Sequence, residues 1–171
     1  PFYIRTGKAL PTKVTEIVVH FKKTPYQMFQ FSDGESSVAN KLIIRIQPNE
    51  GILLRFSMKK PGAGFKVKTV DMNFTYNQLA NVPIADAYAR LLEDCIQGEQ
   101  TLFTRSDAVE SSWKFFDPVL KYWNECENAP LFGYPIGTWG PLESEAMMRD
   151  HSAEWTNPCK NLINTDQYCE L

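Results

Sequence analysis

The chain has 171 residues, 43% of them hydrophobic and 13% aromatic, with a formal net charge of −2. That composition excludes disorder and suits one domain of ordinary size with its own core. A charge so close to zero excludes a broadly basic nucleic-acid-binding face. No apolar run approaches the ~20 residues of a membrane helix, and the first residues carry no secretory or transit pattern.

The first half reads as strands. Pro1–Ile4 reads as a short apolar strand leading into Arg5, Thr6, Gly7 and Lys8. Val14–Lys22 alternates, with Val14, Ile17, Val19 and Phe21 expected to point inward. A connection follows, with a helical turn expected at Tyr26–Phe31 and a chain reversal at Asp33-Gly34. Lys41–Gln47 and Ile52–Met58 are β-branched runs either side of Pro48-Asn49-Glu50-Gly51, the pattern of an antiparallel hairpin. Phe65–Phe74 alternates again and predicts a further strand.

The second half reads as helices. After Pro83, the segment Ile84–Gln97 places Ile84, Tyr88, Leu91, Leu92 and Cys95 at helical spacing, and Gly98 is the expected stop. Ser106 is the expected N-cap of a helix reaching Glu125, which Pro118 should kink or split. The stretch from Ala129 to Pro141 is too rich in Pro and Gly for regular structure, Leu142–Asp150 suits a short helix, and a surface tail is expected from about residue 162. Strands followed by helices predict an α+β fold: a largely antiparallel sheet with helices packed on one face. The other face is then left for a partner.

Sites are sparse. Cys95, Cys126, Cys159 and Cys169 form no Cys-x-x-Cys pair, and His20 and His151 lie near none of them in sequence, so no metal site is expected. Cys95, on the apolar side of its helix, is expected to be a buried thiol, which fits reduced cysteines in the cytoplasm. No nucleophile–base pair and no Gly-x-Gly-x-x-Gly turn is present. Gly7-Lys8 fails the spacing of a Walker loop. It reads either as a turn carrying a solvated lysine or as half of an anion site, with Lys8 and Lys13 as point charges. Arg45 interrupts an apolar strand and needs a carboxylate partner or a ligand; Gln47, on the same face, either caps the hairpin or donates to a hydroxyl-rich ligand.

Four collinear stretches, PFYIRTGKALPTK, NKLIIRIQPNEG, ADAYARLLEDCIQGEQTLFTRSDAVESSWKFFDPVL and GTWGP, resemble the C-terminal domain of glucose-6-phosphate dehydrogenases from Pro1 to about Asn161. The resemblance implies a segment of a longer, NADP-dependent oxidoreductase acting in carbohydrate metabolism, at the first oxidative step of the pentose phosphate pathway. That enzyme oxidises glucose 6-phosphate at C1 to the 6-phosphogluconolactone and passes hydride to NADP+. It also implies that the N-terminal dinucleotide-binding domain, with the catalytic His, precedes Pro1, so that this chain alone is inactive. On the same footing Lys8, Lys13 and Gln47 match substrate-binding positions. Arg5 and Arg45 match positions that hold a second, structural NADP+ in animal enzymes. Val14 and Val18 stand where that site has further basic residues, which predicts that no structural nucleotide binds here and that Arg5 and Arg45 pair instead with carboxylates such as Glu16 or Asp71. The family's sheet forms a homodimer or tetramer interface. No nucleic acid, membrane or metal is implied as a partner. The alternative is a non-catalytic homologue that keeps the fold as an assembly or regulatory module.

Overall fold

The computed structural model describes residues 1–23, 25–26, 30–31, 39–62, 64–76, 86–149 and 154–158. The chain divides into two compact units, Pro1–Asn81 with Gly133–Leu171, and Val82–Phe132.

The first unit holds a five-stranded sheet in the order β1-β3-β4-β5-β2, built from β1 (Thr15–His20), β2 (Gln30–Phe31), β3 (Lys41–Gln47), β4 (Gly51–Lys59) and β5 (Lys66–Thr75). The pairs β1–β3, β3–β4 and β4–β5 are antiparallel, as the alternating runs and the hairpin predict. At the tip of the β3–β4 hairpin Asn49 takes a positive φ of 56°, a conformation that asparagine tolerates well. Gln30–Phe31 is not part of a helical turn but a short strand parallel to β5. Pairing with an available sheet edge outweighs the local preference of two residues. The turn expected at Asp33-Gly34 lies outside the described residues.

The register sorts the side chains into two unlike faces. One carries Glu16 opposite Arg45, Val18 opposite Ile43, Ile43 opposite Leu53, and Arg55 opposite Asp71. The other carries Ile17 opposite Ile44, Val19 opposite Leu42, Ile52 opposite Phe74 and Leu54 opposite Met72. The first, mixed face is the covered one: Ile43, Leu53 and Val67 are buried on it, each such side chain contributing about 1.5–3 kcal/mol. Arg55 and Asp71 form a two-pronged ion pair there, with both N···O distances at 2.8 Å. The other face, apolar except for Lys68 opposite Met58, is open, with Ile17, Ile52 and Met72 at 50%, 41% and 61% exposure. This corrects the expected inward set, since Ile17, Val19 and Phe21 are exposed. A bulge between Thr15 and Glu16 shifts the register, and the segments that cover the sheet reach the Glu16 side. Short helix α3 (Glu143–Arg149) belongs to the same unit and buries Met148.

The second unit is helical. Helix α1 (Ala87–Gln97) begins after Asp86, whose non-helical backbone and carboxylate cap the N–H groups of Tyr88 and Ala89. Ile84 lies outside the described residues. Gly98 ends it in the left-handed conformation, as its position suggests. The buried residue of α1 is Asp94, held by Arg90 at 3.1 Å, while Cys95 is an exposed free thiol rather than a buried one. An i,i+4 partner satisfies the carboxylate, which lets an acid occupy the enclosed position. Helix α2 (Ser106–Glu125) is not split by Pro118. Arg105, not Ser106, occupies its N-cap position and makes no side-chain cap. Asp107 ties down this end instead, accepting from Arg105 and from the Ala108 N–H. Among the described residues no helix is long and apolar enough to cross a membrane.

Candidate functional site

The N-terminal segment is held by two later parts of the first unit. Arg5 is the main fastening. Its guanidinium carbon stands 4.9 Å from the Trp139 ring centre and 4.7 Å from that of Trp155. One terminal nitrogen donates to Asn157 Oδ1 at 2.7 Å. Weaker donations reach the carbonyls of Trp139 and Thr156. Tyr3 meets Trp155 edge-on, and the Trp155 indole N–H donates to the Ser144 carbonyl at 3.2 Å, anchoring the clamp to α3. Burial holds the Arg5 guanidinium below its ordinary pKa, partly offset by the negative charge of Glu16.

Glu16 sits among cations. Register sets it opposite Arg45, and it attracts Arg45, Arg5 and Lys41, yet burial still wins and raises its carboxyl above the ordinary range. Lys41 donates to Thr156 Oγ1 at 3.2 Å; burial and then Arg55 lower its pKa. So the expected partner Glu16 does stand beside Arg45 and Arg5, whereas Asp71 belongs to Arg55.

A few residues on, Lys8 is carried by a locked loop. The Tyr134 hydroxyl donates to the Lys8 carbonyl at 2.7 Å, and the Gly137 N–H donates to the next carbonyl, that of Ala9, at 2.8 Å. The Lys8 residue itself is exposed. Lys13 is exposed too, two residues before the start of β1. Gln47 ends β3 opposite Thr15 and donates to Thr15 Oγ1 at 2.9 Å. The register thus sets Gln47 and Lys13 at one end of the sheet, and Gln47 both caps the strand pair and remains exposed there.

His20 ends β1 opposite Lys41, and its pKa is lowered by burial, then by Lys41. His151 lies outside the described residues. Among the described residues no group of three His, Cys, Asp or Glu could hold a metal ion. Tyr134, Trp155 and Asn157 carry no signal in the sequence, because their partners lie more than a hundred residues away.

Lys8 and Lys13 are thus both exposed on the N-terminal segment, and Gln47 is exposed at the end of β3 that pairs with Thr15. The model of the glucose-6-phosphate dehydrogenase C-terminal domain matches residues 1–156. The chain belongs to that family. It is 49% identical over 158 residues to a glucose-6-phosphate 1-dehydrogenase of Aggregatibacter actinomycetemcomitans, covering 92% of this chain and 31% of that protein. Over 172 residues it is 44% identical to the enzyme of the same name from Treponema pallidum, covering all of this chain and 33% of the relative. Among solved structures it resembles a glucose-6-phosphate dehydrogenase in complex with glucose 6-phosphate, with a TM-score of 0.71 and 32% identity over 88% of this chain and 30% of that one. A Mycobacterium avium glucose-6-phosphate 1-dehydrogenase matches with a TM-score of 0.66 and 28% identity, over 90% of this chain and 30% of that one. The chain therefore spans about a third of the length of the relatives it matches.

One family-implied group fails against this geometry. In a structural nucleotide site Arg5 would present its guanidinium to a phosphate or an aromatic ring. Here its guanidinium carbon lies over two indole rings and Asn157 accepts one of its N–H groups. Valines stand at 14 and 18. The residues present do not fit a nucleotide at this position.

Proposed function

We propose that this C-terminal glucose-6-phosphate dehydrogenase domain supplies the sugar-phosphate half of the substrate site of an NADP-dependent glucose-6-phosphate 1-dehydrogenase. Lys8 and Lys13 bind the 6-phosphate dianion as converging ammonium groups, each at charge-assisted hydrogen-bond distance. Gln47 faces the sugar hydroxyls. The observation that carries this reading is the exposed Lys8 on a segment fastened at Arg5, at the Lys8 carbonyl and at the Ala9 carbonyl. A fixed cation reaches a phosphate with less conformational entropy to lose than a mobile one.

The chemistry itself uses groups outside this chain. The C1 hydroxyl must lose a proton to a base and C1 must lose hydride to NADP+, giving the lactone. The part of the protein preceding Pro1 holds that base and the nucleotide, and it is this domain's partner within the chain. The open apolar face, with Ile17, Ile52 and Met72, is the surface through which the domain forms a homodimer or tetramer. The setting is cytoplasmic.

The test is steady-state kinetics of the full-length protein with glucose 6-phosphate and NADP+. Turnover is expected, and Lys8→Ala should raise the KM for glucose 6-phosphate at least tenfold while moving that for NADP+ little, since a charged hydrogen bond is worth about 1.5–3 kcal/mol. No turnover in a folded full-length protein would instead favour a non-catalytic homologue.

A further inference from the structure

The loop bearing Lys8 is held from outside by a turn far along the chain. The Tyr134 hydroxyl and the Gly137 N–H bind two successive carbonyls, those of Lys8 and Ala9, at 2.7 and 2.8 Å. The turn that supplies them is itself closed, since the Thr138 N–H and hydroxyl both donate to the Pro135 carbonyl. Between the two pinned peptide planes Ala9 takes a φ of 56°, in the left-handed region, where a residue other than glycine persists only if its surroundings impose it. The glycine before Lys8 has a physical reason as well: a Cβ at Gly7 would stand 3.0 Å from the Tyr134 hydroxyl oxygen. Removing the side chain at 7, pinning the carbonyls of 8 and 9 and bending the backbone at 9 together fix the direction in which the Lys8 Cα–Cβ bond leaves the chain.

We propose that Tyr134 is a positioning residue for the Lys8 ammonium group, acting through the Lys8 carbonyl, and that Gly7 is small so that the Tyr134 hydroxyl can reach it. This rests on the reading of Lys8 as a phosphate ligand. Without the hydroxyl the loop samples other conformers, and the ammonium group is in place for only a fraction of the time. Apparent affinity for the sugar phosphate falls by that fraction, while the cofactor side of the reaction is untouched.

The experiment is steady-state kinetics of the full-length protein with glucose 6-phosphate and NADP+ for Lys8→Ala, Tyr134→Phe and the double variant. Tyr134→Phe should raise the KM for glucose 6-phosphate about three- to tenfold, the range of one neutral hydrogen bond, and leave the KM for NADP+ unchanged. In the Lys8→Ala background the same substitution should add nothing, because there is no ammonium left to place. An unchanged sugar-phosphate KM in Tyr134→Phe, with Lys8→Ala raised, would overturn the positioning role alone. So would an equal rise in both backgrounds, which is the mark of a purely structural effect. If Lys8→Ala itself leaves that KM unchanged, the phosphate role of Lys8 falls and this proposal with it. Gly7→Ala gives a second handle: it should raise the same KM, and by less when Phe replaces Tyr134, since the atom it crowds is then gone.

Discussion

The guanidinium carbon of Arg5 lies 4.7 Å from the ring centre of Trp155, a residue 150 positions further along the chain. With Trp139 4.9 Å away and Asn157 accepting a hydrogen bond, Arg5 joins the first residues of the chain, the loop before α3 and the segment after it. A planar guanidinium packs against indole rings in a way that an ammonium group does not.

Arg5→Lys keeps the charge and loses the stacking plane and the fork. Each cation–π contact is worth about 0.5–2 kcal/mol, so a loss of roughly 2 kcal/mol is expected, and Trp155→Leu should cost about as much. The two losses should not add, because both break one contact. Urea unfolding of the single and double variants checks this, and full additivity would show that the stack contributes nothing.

The same contacts engage the Arg5 guanidinium where a nucleotide would need it. NADP+ added to this chain should show no saturable binding by equilibrium dialysis and no dose-dependent rise in melting temperature. Saturation at one nucleotide per chain, lost in Arg5→Gln, would mean that the indoles open to admit it.

Glu16 makes the stability of the sheet depend on pH in an unusual direction. Burial raises its carboxyl above the ordinary value of 4.5 despite Arg45, Arg5 and Lys41. Between the ordinary and the raised value the folded chain keeps a proton that the unfolded chain has released. Its contribution is therefore complete below that window and is lost as pH rises through it. The stability of the unaltered chain minus that of Glu16→Gln should fall as pH climbs from about 4 and then level off. Denaturant midpoints measured across that range decide it, and a difference that grows with pH would show the surrounding cations to be dominant.

Gly51 opens β4 where β5 comes closest. A Cβ there would stand 2.5 Å from the Phe74 carbonyl oxygen, a backbone atom that cannot swing away. Gly51→Ala should destabilise by about 1–3 kcal/mol through forced separation of the two strands. Gly133→Ala, where nothing lies within 4 Å, should stay within roughly 0.5 kcal/mol. Equal melting temperatures for the two variants would refute the close approach.

The substrate candidates were legible only in part. Spacing and residue type leave Lys8 as either a solvated turn residue or an anion ligand, and resemblance favours the second. The structure adds that the loop bearing Lys8 is held by Tyr134 and Gly137. Neither showed in the sequence, because a hydrogen bond spanning 126 positions leaves no periodic trace. Arg45 was recognisable as a charge that needed a partner, and Glu16 opposite it follows once β1 and β3 are in register.

The sequence by itself determined strands β1, β3, β4 and β5, the β3–β4 hairpin, the end of α1 at Gly98 and the family. Each depends on patterns within a few residues or on collinear motifs. Tertiary structure decided which face of the sheet is covered. Apolar residues lie on both sides of β1, so alternation could not choose between Ile17 with Val19 and Glu16 with Val18. Arg5 and Thr156, brought from the two ends of the chain, reach Glu16 and Lys41 and close the mixed face. The apolar face stays open. Burial follows what lies above a strand, and local pattern does not specify that.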